Sequence, residues 1–253
     1  MTPTASPATP PGSPGSPDSP GSPPGPNSPA VRAPLFPVPL WVGFGVALAV
    51  SLACILWLDR PVALYVKHDL PRGLYRFFQD ITDIGKGNGW FAGGALILIL
   101  SWAVARLALF AETAAAWRRV AVSSAYFLAA MALSGILVPT FKVLIGRLRP
   151  KFLFNEGVYA FHPFTFDMGD VTFPSGHSQI IFAAMLSLGF IFPRLRWPFL
   201  AFALLIAASR VLTGAHFLGD AVMGSFLGVA GAVVVRRWMA RRGWEVRLTG
   251  AAR

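Results

Sequence analysis

SRVLTGAHFLGD (residues 209–220) joins two apolar runs, WPFLAFALLIAA (197–208) and AVMGSFLGVAGAVVV (221–235). Either run alone suits hydrocarbon. The segment between them carries Arg210, His216 and Asp220. Ionisable groups beside such runs are costly and mark a site. The runs speak for the fold and the linker for the function.

Apolar residues make up 55% of the 253-residue chain and charged residues only 13%. A soluble domain would carry about twice that charged fraction. Several runs approach the roughly 20 residues that cross a bilayer as a helix. The composition is that of an integral membrane protein. The formal net charge of +11 would hint at nucleic acid in a soluble chain. Here cationic loops that orient a membrane protein explain it better, and no nucleic-acid partner is expected. Cys54 is the one cysteine, so no intramolecular disulfide can form.

Residues 1–34 are dominated by Pro, Ser and Gly. Such a segment cannot bury apolar surface and reads as a disordered tail. It also lacks the basic start and apolar core of a signal peptide. Six spans are predicted, at 38–58, 88–109, 120–141, 177–193, 197–213 and 217–235. The expected architecture is all-α: a six-transmembrane-helix bundle over 35–243, followed by a basic cytoplasmic tail at 244–253. Residues 69–80 mix aromatics and arginines at helical spacing and should lie along the interface. Six spans put both termini on one side, which the basic C-terminus marks as cytoplasmic. The charge contrast is shallow, with roughly twelve Lys and Arg inside against about ten outside.

This topology gathers the unusual polar residues on the outward face. KVLIGRLRP (142–150) ends span three, FPSGH (173–177) opens span four, and SRVLTGAHFLGD bridges spans five and six. Lys142, Arg149 and Arg210 are three cations at one level, with Asp220 as the carboxylate best placed nearby. Such a set calls for an anion. Phosphate fits the planar arginine fork and the lysine point charge. Ser175 and Gly176 precede span four, where helix N–H groups form an anion seat.

His216 and Asp220 are four residues apart and should share one helix face. The carboxylate would fix the tautomer and leave the second ring nitrogen nucleophilic. His177, from another helix, would protonate a leaving oxygen. Together these parts describe phosphoryl transfer through a phosphohistidine. Two histidines and an aspartate can also hold zinc, but three cations would repel it, and no metal or other cofactor is expected. Each piece has a plainer reading: Lys142 and Arg149 as snorkelling cations, His177 as a packing residue, His216 and Asp220 as a self-satisfied pair. Convergence of all three clusters weighs against those. Glu156, His162, Asp167 and Asp170, in the loop 151–173, read as solvating or access residues.

The three segments match a known pattern. Lys142, six residues, then Arg149-Pro150; Pro174-Ser175-Gly176-His177; and Ser209-Arg210, five residues, His216, three residues, Asp220. In this the chain resembles the type-two phosphatidic acid phosphatase superfamily, which includes vanadium haloperoxidases and bacterial acid phosphatases. The resemblance covers about 85–240. It implies His216 as nucleophile, Asp220 as its partner and His177 as the acid. Lys142, Arg149, Ser175, Gly176 and Arg210 would bind the phosphate. It further implies metal-free action on a lipid phosphate substrate with the site facing away from the cytoplasm, consistent with a bacterial plasma membrane. Candidate substrates are phosphatidic acid, phosphatidylglycerol phosphate, a polyprenyl diphosphate and a phosphorylated lipid A. Transfer to an acceptor other than water, or a non-enzymatic anion or lipid carrier, are the alternatives. The letters do not fix the oligomeric state.

Overall fold

A computed structural model describes residues 38–248. The expected disordered tail at 1–34 lies outside the described residues, as do 249–253. The described residues form helices α1 (Leu40–Ala53), α2 (Asp59–His68), α3 (Arg72–Thr82), α4 (Gly87–Leu107), α5 (Ala111–Ile145), α6 (Pro150–Glu156), α7 (Gly176–Ile191), α8 (Arg196–Leu212) and α9 (Leu218–Arg241). No named strand occurs among them; two isolated bridges do, Arg147 with Phe161 and Leu148 with Val171.

Every predicted span has its helix. Five helical stretches are long and apolar enough to cross a membrane: Leu40–His68, Gly87–Leu107, Ala111–Ile145, Pro193–Leu212 and Leu218–Arg241. The protein is therefore an integral membrane protein. The helix for the fourth predicted span, α7, has 16 residues. That is about 24 Å, shorter than the roughly 30 Å hydrocarbon core. α7 packs against α5, α8 and α9 and forms the centre of the bundle. α4 lies on α5, and α1 lies on α9.

The first span runs beyond its predicted end. α1 and α2 join through a π-turn, Cys54–Leu58, into one 29-residue helix. Pro61 lies just beyond and has no N–H to give the preceding turn, and π-turns of this kind tend to sit at functional sites. The amphipathic segment expected at 69–80 is α3, which buries Phe78 and Thr82 and packs on α8. Residues 244–248, the start of the expected basic tail, pack against the bundle. Ser123 Oγ donates to the Val246 carbonyl at 3.0 Å, and Val246 is buried.

Apolar side chains face outward, among them Leu56, Trp57, Leu96, Ile99, Trp102 and Ile136. Small polar groups lie inside. Gln179 Nε2 donates to Ser134 Oγ at 2.6 Å, joining α7 to α5, and Tyr126 Oη donates to the Ala232 carbonyl at 3.1 Å, joining α5 to α9. In lipid there is no hydrophobic gain on helix association, so close contact and interhelical hydrogen bonds hold the bundle. At Gly228 of α9 a Cβ would stand 2.4 Å from the Gln179 carbonyl oxygen and 2.8 Å from the Ala183 nitrogen. Only glycine allows α7 and α9 this approach. Gly228→Val is expected to destabilise the bundle by about 1–3 kcal/mol or more through overpacking. Thermal unfolding in detergent checks this; an unchanged midpoint would contradict the packing.

Candidate active site

Four helix ends meet at one end of the bundle. α5 stops at Gly146, which adopts φ 59°. A Cβ there would fall 1.7 Å from the His162 carbonyl oxygen. Glycine thus ends the helix and lets the loop close on it, with His162 N–H donating to the Gly146 carbonyl at 2.7 Å. The next residues pair with the same loop. Leu148 N–H bonds the Ala160 carbonyl at 3.0 Å, Arg149 N–H the Asp170 carbonyl at 2.9 Å, and Thr172 N–H the Arg147 carbonyl at 2.8 Å. This lattice fixes Arg147, Arg149 and Thr172 side by side.

Ser175 caps α7, its hydroxyl accepting from Ser178 N–H at 3.3 Å. Its own N–H, expected to face an anion, donates instead to the Asp220 carbonyl at 3.0 Å. The α7 start is thereby pinned to the α9 start, and the Gly176 and His177 amides are left with no acceptor among the described residues. Between α8 and α9 the chain turns tightly, with both Ala215 and His216 N–H donating to the Arg210 carbonyl, at 3.1 and 3.0 Å.

His216 and Asp220 do not share a helix face. α9 begins at Leu218, and Asp220 lies in its first turn. His216 stands ahead of the helix. Asp220 Oδ2 caps the helix by accepting Phe217 N–H at 2.8 Å. The ring Nδ1 lies 3.6 Å from Oδ2, too long for a direct hydrogen bond. Thr172 fills the gap. Its Oγ1 lies 2.7 Å from His216 Nδ1 and donates to Asp220 Oδ2 at 2.7 Å. A hydroxyl has one hydrogen, and the carboxylate takes it, so Oγ1 accepts from Nδ1–H. The tautomer is set, and the Nε2 lone pair is free.

His216 is 4% exposed and Asp220 is fully buried. Burial lowers the His216 pKa to about 4; Asp220 opposes this, while Arg210 and Arg149 push it further down. The imidazole is therefore neutral at pH 7, as a nucleophile must be. Burial also lowers Arg149, against Asp220 and Asp170.

The cations take their places around this ring. Arg210 Nη1 donates to Thr82 Oγ1 at 2.7 Å, and Ser209 Oγ steadies the same hydroxyl at 2.9 Å. Lys142 is buried and donates to the Val171 carbonyl at 2.8 Å. The buried Nε groups of Arg149 and Arg210 have no partner among the described residues, and neither has that of Arg147. His177 packs against the Asp83–Gly85 turn, where a Cβ on Gly85 would meet its ring at 3.2 Å. On that turn Lys86 bonds Asp83 and holds it below the ordinary carboxylate range, with His177 and Arg210 adding smaller effects. Glu156, His162 and Asp167 are exposed on the loop. Asp170 pairs with Lys151. Among the described residues no three His, Cys, Asp or Glu side chains gather as a metal site.

A family model of the PAP2 superfamily matches residues 123–244. Over those residues the chain is similar to the PAP2 superfamily. The match spans all three polar clusters, which are the motifs of the resemblance drawn from sequence. Lipid A 1-phosphatase of Rhizobium etli is 29% identical over 180 residues, 71% of this chain and 76% of that protein. Lipid A 1-phosphatase of Rhizobium johnstonii is also 29% identical over 180 residues, 71% of this chain and 72% of that protein. The crystal structure of a transmembrane PAP2 type phosphatidylglycerolphosphate phosphatase from Bacillus subtilis aligns with a TM-score of 0.56. It is 20% identical and covers 80% of this chain and 94% of that one, which establishes the shared PAP2 fold.

Four residues of this site escaped the sequence reading: Asp59, Thr82, Arg147 and Thr172. Asp59 carried a usable signal, a carboxylate beside an apolar run. The two threonines carried none.

The His216 shift has a consequence for stability. Its folded value, about 4, lies below the 6.5 of an ordinary histidine. Between those values the unfolded chain takes up a proton that the folded chain refuses. Its contribution is complete above pH 6.5 and is lost as pH falls toward 4. The midpoint difference between wild type and His216→Asn should therefore shift against the wild type over that window in detergent-solubilised protein. Parallel curves for the two proteins would contradict a buried neutral imidazole.

Proposed function

We propose that this protein is a membrane phosphatase that hydrolyses a phosphate monoester or diphosphate on a lipid. The observation that carries the reading is the neutral His216 ring, aimed by Thr172 and Asp220, beside two arginines with unpartnered buried N–H groups. A lipid phosphate is an anion that suits these donors. The PAP2 match and the lipid phosphatases among its relatives support the same class.

The chemistry follows from the geometry. His216 Nε2 attacks phosphorus, and the bond to the lipid oxygen breaks. The bound phosphate dianion favours a proton on His177, which gives it to that oxygen. Arg149, Arg210 and Lys142 neutralise the equatorial oxygens, with the Gly176 and His177 amides at the α7 N-terminus. Water then gives a proton to His177 and attacks phosphorus, the N–P bond breaks, and phosphate leaves. His216 carries positive charge while phosphorylated, and the Thr172–Asp220 arm compensates it. In this scheme Arg149, Arg210 and Lys142 supply the positive charge that a metal ion would otherwise bring.

A lipid can keep its chains in the bilayer and place its phosphate among the helix ends. Exposed Phe161, Phe164 and Phe166 in the 151–173 loop offer an apolar approach. With six spans, counting α7, and the basic C-terminus taken as cytoplasmic, the site would face outward from a bacterial plasma membrane with both termini inside. The Rhizobium relatives act, by name, on lipid A, so the 1-phosphate of a glycolipid joins phosphatidic acid, phosphatidylglycerol phosphate and polyprenyl diphosphates as a test substrate.

Purified protein should release phosphate from at least one of these four, and EDTA should not reduce the rate. His216→Ala should lower the rate by three orders of magnitude or more, since groups acting as a unit fail together. Thr172→Val should lower kcat by about 10²-fold, and Thr172→Ser should restore most of it. Full activity in His216→Ala would rule out the proposed nucleophile.

A further inference from the structure

Arg147 is not explained by the chemistry above. It lies between Lys142 and Arg149, yet its side chain is 1% exposed and faces away from the anion seat toward two carboxylates. Nη1 donates to Asp220 Oδ1 at 2.7 Å. Nη2 lies 2.8 Å from Asp59 Oδ2 and also donates to Tyr159 Oη. The guanidinium carbon stands 4.2 Å from the Phe217 ring centroid and 5.2 Å from that of Tyr159. Burial works against this charge, and Asp220 and then Asp59 more than offset it, so the Arg147 pKa stays raised.

Asp59 comes from the first span, outside the residues matched by the superfamily. Its side chain is fully buried. Oδ1 accepts the Gly219 N–H at 2.9 Å, and Ser51 Oγ donates to the Gly219 carbonyl at 2.6 Å. The first span thus grips the peptide next to Asp220 from both sides. In the π-turn above it, the Ile55 carbonyl accepts Tyr159 Oη at 2.8 Å.

We propose that Asp59 is a positioning residue for the reaction, holding Arg147 and the Gly219 peptide so that Asp220 keeps its place and an uncancelled negative charge behind Thr172 and His216. The proposal rests on the phosphatase reading for its kinetic consequence alone. Two carboxylates and one guanidinium leave one net negative charge in the buried cluster. That charge balances the cation that His216 becomes when it bonds to phosphorus. Without Asp59, Arg147 and Asp220 would cancel, and the imidazole would gain its charge in a dry site with cations on its other flank. A purely structural role is a poor alternative. Buried ion pairs replaced by apolar residues of similar volume often leave stability unchanged or improved.

Two variants decide the matter. Asp59→Asn keeps the shape and removes the charge. Asp59→Leu with Arg147→Met replaces the ion pair by apolar packing. The first readout is kcat against KM on the lipid phosphate the wild type hydrolyses. The second is the ¹⁵N NMR spectrum of histidine-labelled protein in detergent, with the His216 signal assigned from His216→Asn. Asp59→Asn, which cancels the net charge, is expected to lower kcat by about 10–100-fold, as outer supporting groups do elsewhere, with KM within about threefold. The double variant keeps one negative charge on Asp220 and loses only its support, so its kcat should fall by less. Both should also weaken the preference of His216 for the Nδ1–H tautomer.

Folded variants with wild-type kcat and an unchanged tautomer would overturn the proposal. So would a double variant that does not fold, because the pair would then serve the fold. Should the wild type hydrolyse no lipid phosphate, the phosphatase reading fails, while the tautomer still decides the place of Asp59.

Discussion

A single carboxylate buried at the end of the bundle organises the rest. Asp220 accepts from Arg147, Thr172 and the Phe217 N–H through its side chain, and from Ser175 N–H through its backbone oxygen. A charge in such a place is tolerated only when its lone pairs are filled. Here each filled lone pair also does something for the architecture. One caps α9, one locks the loop beside α5, one orients the histidine, and the backbone oxygen ties down the start of α7. Local cap, tertiary joint and chemical partner are the same residue. Losing the charge would therefore loosen three helix ends together.

The bundle around it is built for hydrocarbon. Its outer surface is apolar, and the polar groups are turned inward, where Ser51, Ser134, Gln179 and Tyr126 bridge helices. The central helix α7 is the shortest of the apolar helices, at 16 residues. Its start is held at the site by Ser175, and its end meets the returning C-terminal segment, where Leu248 N–H reaches the Ile191 carbonyl at 3.3 Å. Cations that would be costly within a bilayer are thereby confined to helix ends, where a headgroup phosphate and water can meet them.

The helical spans and the three polar clusters were readable from the letters because both are local. An apolar run declares itself in its own residues, and Arg210, His216 and Asp220 stand within a short stretch. What could not be read depends on contacts between distant segments. Thr172 meets Asp220 across 48 residues, Arg147 meets Asp220 across 73, and Asp59 meets Gly219 across 160. Nothing in GRLRP tells the inward arginine, Arg147, from the anion-facing Arg149. The first span was ended at 58 by hydropathy, so Asp59 fell one residue outside it, whereas the helix continues to His68. The helical spacing of His216 and Asp220 suggested direct contact, but the helix starts too late for that. The threonine that closes the gap was one hydroxyl among several in a loop.

The account depends on the freed Nε2 of His216 forming a bond to phosphorus. Rapid acid-free quenching after mixing with a ³²P-labelled lipid phosphate, followed by peptide mapping, tests this most directly. The account predicts label on the peptide holding His216, stable in alkali, released in acid and absent from His216→Asn. Turnover of the same lipid with no protein-bound label at any time in the first turnover, or label on another residue, would contradict it.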